Sequence, residues 1–160
     1  MTANMRNTLA SALLACTAFG CGSHFAVVAP NDFLELAPED SSRYGYDMRA
    51  TSADGIVVGV REIENTRHGS RDFWVDAIRN RLRRDAGYAL TAESDVTAAS
   101  GQQGHQIRFG HDEASSPYVY WVTVFVTPDR VFVIEAGGRR EHFESAQARI
   151  EGAISTFRVR

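Results

Sequence analysis

From Tyr118 to Ala136 the chain reads as two strands that are apolar on both faces. Tyr118 to Thr127 is followed by a turn, Pro128-Asp129-Arg130, and then by Val131 to Ala136. A strand with one wet face alternates apolar and polar side chains, whereas one that is apolar throughout needs cover on both sides. This hairpin therefore belongs in the middle of a sheet that carries other elements on each face.

Two helices are available as that cover. Ser70 is a good N-cap and Gly87 a good residue just past a helix end, so they bracket one. Within it Trp74, Val75, Ile78 and Leu82 share a face. Asp72 and Asp76 lie early and Arg79, Arg81, Arg83 and Arg84 late, as the helix dipole favours. The second helix spans Arg140 to Phe157. Phe143, Ala146, Ile150, Ala153, Ile154 and Phe157 recur on one narrow stripe.

The other segments read as strands and turns. Phe33 to Leu36 is a strand stopped by Ala37-Pro38, and Glu39 to Gly45 is a polar turn. Tyr46 to Ser52 alternates, with Tyr46, Met48 and Ala50 on one side. Asp54-Gly55 supplies the positive φ of a tight hairpin, and Ile56 to Ile63 returns. Tyr88 to Thr97 is a strand. His105 to Gly110 is another, with Gln106 and Arg108 facing out. His111 to Ser116 is a polar loop, and Gly137-Gly138 ends the last strand. The order predicts an α+β fold: a single antiparallel sheet with helices packed on both faces.

Ahead of the domain lies a segment of another kind. Arg6 precedes a largely apolar or small run, Asn7 to Gly20, shorter than the ~20 residues a membrane span needs but suited to a signal peptide. The run leads into Ala18-Phe19-Gly20-Cys21-Gly22-Ser23, which resembles a bacterial lipobox. Leu13-Leu14-Ala15-Cys16 is the alternative. The expected division is a lipoprotein signal peptide over 1–20, a tether over 21–31 and one domain over 32–160. Cys21 or Cys16 would carry the lipid that anchors it to a membrane of the cell envelope, with the domain facing the periplasm or exterior. These are the chain's two cysteines, so the domain itself has no disulfide, thiol nucleophile or cysteine metal site.

Composition removes further classes. The formal net charge of -3 gives no basic field for nucleic acid. All 17 basic residues are arginine; without lysine there is no Schiff-base chemistry, no pyridoxal phosphate attachment and no Walker A lysine. No motif implies a cofactor.

Gly87-Tyr88-Ala89-Leu90, the hairpin from Val122 to Ile134 and the closing Ile154-Ser155-Thr156-Phe157 resemble the PsbP-like group, which includes DcrB-like lipoproteins. The resemblance covers about residues 33–158. It implies an α/β/α sandwich and a binding or accessory role without catalysis, its partner an envelope protein or ligand. It transfers no functional residue.

Four clusters are candidate sites. His105, His111, Asp112 and Glu113 carry metal-ligating groups, and a small metal-dependent hydrolase would use them. Their spacing matches no established motif, and His105 shares its strand face with Ile107 and Phe109. Arg79, Arg81, Arg83 and Arg84 are either an anion patch or a solvated helix end. Gly137-Gly138 with Arg139 and Arg140, before a helix, is either an anion cradle or a tight turn. Tyr118 and Tyr120 share one strand face and Trp121 and Phe125 the other, as recognition patch or as core. Glu135, on a strand that reads as buried, is either a carboxyl perturbed by burial or, more simply, one paired with an arginine.

Overall fold

The structure, a computed structural model, describes residues 22–113 and 116–160, without the side chain of Glu113. Cys16 and Cys21, with the signal and lipid reading they carry, lie outside the described residues.

The elements run β1 (Phe25–Ala26), β2 (Leu34–Glu35), α1 (Pro38–Arg43), β3 (Met48–Thr51), β4 (Val57–Glu64), α2 (Arg71–Arg84), β5 (Ala89–Thr97), β6 (Gln103–Glu113), β7 (Ser116–Val126), β8 (Arg130–Arg139), α3 (Arg140–Ser155) and β9 (Arg158–Val159). Seven strands form one antiparallel sheet in the order β2-β3-β4-β8-β7-β6-β5. The β7–β8 hairpin sits inside it, as its two apolar faces require. Alternate residues of β7 supply two cores. Trp121 and Phe125 join Phe143, Ile150 and Phe157 on the α3 face. Val122 and Val124 join Val75, Ile107 and Phe109 on the α2 face. The sheet dominates the fold, with one long helix on each face.

The predicted helices stand. The Ser70 side chain caps α2 by accepting from the Phe73 N–H at 3.1 Å. Gly87 follows its end at φ +71°, and the Tyr88 N–H closes the turn on the Leu82 carbonyl. Every residue of the predicted α3 stripe is buried.

Several local expectations are corrected. Residues 38–43 form α1 instead of a turn. Pro38 at the first helical position has no N–H to lose, and Glu39, Asp40 and Arg43 follow the helix dipole. Tyr46 leaves the face of Met48 and Ala50, because the chain enters β3 through Gly45 at φ +72° and the Tyr46 ring swings over Gly59. Gln106 does not face out: it is buried under the α3 layer and donates to the Thr123 hydroxyl at 3.0 Å. Arg108 beside it stacks on Trp121 at 3.8 Å. The segment after Gly110 stays in the ladder through Glu113, pairing His111 with Tyr118. Gly137 and Gly138 continue β8, paired with Val57 of β4 and Val119 of β7 respectively. Here glycine admits neighbours: a Cβ on Gly138 would lie 3.2 Å from the Ile56 Cα.

The chain from His24 onward is packed on the domain. Phe25 is buried, its ring stacked 6.0 Å from Phe157, and β1 pairs with β9.

Candidate functional site

The helix on the α2 face packs over β6 and β7. Beside it, over β3, β4 and β8, lies a hollow of about 470 Å³. All five tyrosines of the chain line it: Tyr44, Tyr46, Tyr88, Tyr118 and Tyr120. Arg49, Arg61, His111, Glu135 and Gly137 complete the polar and backbone lining. A second hollow of about 760 Å³, under Trp74, Ile78 and Leu82 of α2, shares Arg61, Tyr88, Tyr120 and Glu135 with it.

Strand register explains the convergence. Arg49 of β3 stands opposite Gly59 of β4, and Gly59 opposite Glu135 of β8, so the three share a face. Gly59 has no side chain, and the Tyr46 ring lies in the space left. A Cβ there would come within 2.5 Å of Tyr46 Cδ1. Gly137 does the same for Tyr120, where a Cβ would sit 3.0 Å from the ring. On the far wall Tyr88, just before β5, stacks on His111 with centroids 4.7 Å apart and packs against Tyr120 at 5.4 Å.

The charges in the floor are largely matched. Arg61 Nε donates to both Glu135 oxygens at 3.3 Å. Its Nη1 donates to the Tyr44 and Gly45 carbonyls, and its guanidinium lies 3.8 Å over the Tyr46 ring. The Tyr46 hydroxyl donates to Glu135. Burial, with the Glu135 carboxylate beside it, pushes the Tyr46 phenol up to about 12. Burial first, then the Glu135 charge, pushes Tyr120 up as well. Glu135 thus has the arginine partner its strand position calls for. Arg49 differs. It lies 4.3 Å over the Tyr44 ring, and among the described residues its guanidinium meets no carboxylate. Its Nε is buried without a hydrogen-bond partner.

The clusters singled out in the sequence separate. His105 and His111 lie at opposite ends of β6, about 20 Å apart at ~3.3 Å per residue. His105 Nδ1 is 2.9 Å from Asp95 Oδ1, and this hydrogen bond holds the Asp95 carboxyl below its ordinary range. His111 belongs to the tyrosine wall, and Asp112 is exposed. Among the described residues no three His, Cys, Asp or Glu side chains group to hold a metal ion. Arg79 is paired with Asp76 and Glu93. Arg81, Arg83 and Arg84 are exposed. Arg139 meets the Ser116 hydroxyl and Glu141; with Gly137 and Gly138 in the ladder, no loop of free N–H groups stands before α3. Trp121 and Phe125 are core, while Tyr118 and Tyr120 line the hollow. Tyr44, Tyr46, Tyr88, Arg49 and Arg61 escape a reading by sequence clusters. The signal for them is glycine inside a strand, at 59 and 137, which marks a close approach by another group.

No helix among the described residues is long and apolar enough to cross a membrane. The sequence matches no protein-family model and no curated protein. Solved structures do match. LpqN, involved in cell envelope biogenesis of Mycobacterium tuberculosis, superposes with a TM-score of 0.71 at 12% identity, over 84% of this chain and 82% of that one. Cyanobacterial PsbP from Synechocystis gives 0.54 at 14% identity, over 88% and 96%. The Ran-binding protein Mog1p of Saccharomyces cerevisiae gives 0.53 at 13% identity, over 85% and 90%. Identities this low speak for architecture alone, and in architecture the chain carries the PsbP-like fold.

Proposed function

We propose that the chain is a noncatalytic binding domain of the bacterial cell envelope, held at a membrane by lipid on Cys21 or, in the alternative, Cys16, with the tyrosine-lined hollow as its binding site. The observation that carries this reading is the convergence of all five tyrosines on one hollow. A recognition surface uses such rings, which offer apolar faces and a polar tip at low entropic cost. Nothing in the lining pairs a nucleophile with a base: Glu135 is taken up by Arg61 and Tyr46, and the Tyr46 and Tyr120 phenols are shifted away from ionisation. The architecture is read as the sparsest α/β/α sandwich, one long helix to a face. The envelope role of LpqN supports the location.

The fold gives the anchor a consequence. Packing begins at His24, whose backbone and ring meet Glu62, and Phe25 is buried in the α3-face core. A lipid on Cys21 therefore leaves only a few residues of free chain, about 10–14 Å when extended. The hollow lies on the opposite face of the sheet from Phe25.

The test is the small-molecule content of the mature protein purified from its own membrane, compared with Tyr118→Ala and Tyr120→Ala. A compound retained by wild type and lost from both variants, at unchanged thermal stability in at least one, supports the reading. Identical content in all three, or turnover of the compound, overturns it. The mass of the mature N-terminus in the same sample tests the anchor, which an unmodified terminus away from both cysteines would refute.

A further inference from the structure

We infer that the hollow selects a flat ring compound bearing one carboxylate, with Arg49 as the residue that reads the anion; this rests on the hollow being the binding site. The two arginines on this face differ in kind. Arg61 is saturated by Glu135, two backbone carbonyls and the Tyr46 ring, so it is structural. Arg49 has its guanidinium held flat on Tyr44 at 4.3 Å and a buried Nε with no partner. That Nε is shut off from solvent, so an incoming acceptor meets the outer nitrogens of the guanidinium, which no carboxylate among the described residues occupies. A guanidinium takes a carboxylate on two parallel N–H groups, and stacking on Tyr44 fixes the plane in which it does so.

Charge sets the stoichiometry. Arg61 and Glu135 cancel, which leaves Arg49, among the described residues, as the one uncompensated fixed charge of the lining and calls for a single negative charge. The walls set the body of the ligand. Tyr88, Tyr118 and Tyr120 line the hollow, with Tyr120 seated over Gly137, and rings take flat partners by offset or edge contacts.

The experiment is calorimetric titration of the full mature protein in lipid nanodiscs, with empty nanodiscs as blank. The probes are 2-naphthoate, its uncharged isostere 2-naphthamide, and 2-naphthyl phosphate. Naphthoate is expected to bind at least tenfold more tightly than the amide. Arg49→Gln is expected to abolish that difference, and Arg49→Lys to restore only part of it, since lysine lacks the fork. Tyr120→Ala is expected to weaken both naphthoate and amide. Equal affinity for acid and amide, or an Arg49→Gln variant that still prefers the acid, overturns Arg49 as the reader while leaving the hollow as a binding site. Phosphate binding more tightly than naphthoate overturns the carboxylate class. If none of the three probes binds, this inference falls, while the compound retained by wild type against Tyr118→Ala and Tyr120→Ala decides the site reading.

Discussion

Replacing Gly59 by alanine tests whether the tyrosine hollow rests on glycine. The added methyl would come 2.5 Å from Tyr46 Cδ1, 2.6 Å from Cε1 and 3.1 Å from Cγ. The last contact is near the root of the ring, so a rotation about its far end cannot relieve the clash. The ring must shift, and with it go the hydrogen bond to Glu135 and the stacking under Arg61. Overpacking of this kind costs about 1–3 kcal/mol. Loss of a hydrogen bond to a charged group approaches a similar figure. Gly59 itself is not in the left-handed region, so alanine there also stiffens the unfolded chain in favour of folding by about 0.4–1 kcal/mol. The net expectation is a loss of about 2 kcal/mol, or roughly 4–8 °C in Tm for a chain of this size. The decisive measurement is a double-mutant cycle in urea. In a Tyr46→Ala background the methyl has nothing to strike, and Gly59→Ala becomes neutral or slightly stabilising, a coupling of about 2 kcal/mol. An equal cost for Gly59→Ala in both backgrounds would refute the argument that this strand glycine exists to seat the ring.

Phe157 is fully buried against Phe125, Phe132 and Phe25, and Phe157→Ala should cost about 3–5 kcal/mol in chemical denaturation. A chain beginning at Val28 loses the Phe25 ring and the β1–β9 pairing; a drop of about 3 kcal/mol is expected by the same scale, and unchanged stability would remove residues 24–27 from the domain. Alkaline unfolding follows from the phenols. The folded state holds the Tyr46 proton up to about 12, against 10.0 for a free phenol, so the unfolded chain releases it first. That stability is intact below pH 10 and is lost as pH rises through 12. A Tyr46→Phe variant should show a shallower loss over that window in circular dichroism melts.

Most of the fold was legible because its signals are local and periodic. The β7–β8 hairpin announces a double-sided core, and the α3 stripe from Phe143 to Phe157 is buried as its 3.6-residue period dictates. The Ser70 cap and Gly87 bracket α2 to within a turn. The misreadings fall where a residue type has two uses. Pro38 both ends strands and begins helices. Gly137-Gly138 can be a turn or a place where a neighbouring side chain comes close, and here Tyr120 and Ile56 decide the second. Gln106 and Arg108 are polar residues on a covered face, satisfied by Thr123, Trp121 and Glu151 across the fold. No window around Gln106 contains those partners.

The hollow was the least legible feature, and the geometry of covering a sheet says why it exists. A helix with its side chains is about 10–12 Å across, and strands are about 4.8 Å apart, so one helix covers two strands or a little more. On the α2 face the helix lies over β6 and β7. Arg49 and Thr51 on β3, Val57, Gly59 and Arg61 on β4, and Glu135 and Gly137 on β8 are left without a helical lid. On the α3 face, chain from both ends fills the equivalent gap: Phe25 packs on Phe132 and Phe157, and Val27, Ala29 and Phe33 pack against the same core. The α2 face receives α1 at its edge instead, which delivers only Tyr44 and Tyr46. The sequence accordingly changes character across β4: Val58 and Val60 point to the filled side, while Gly59 and Arg61 point to the open one. A side chain set that merely tolerated water would be charged and small here. Instead the strand carries glycine under an aromatic ring beside a fully paired arginine, an arrangement that keeps a shaped, partly apolar space open.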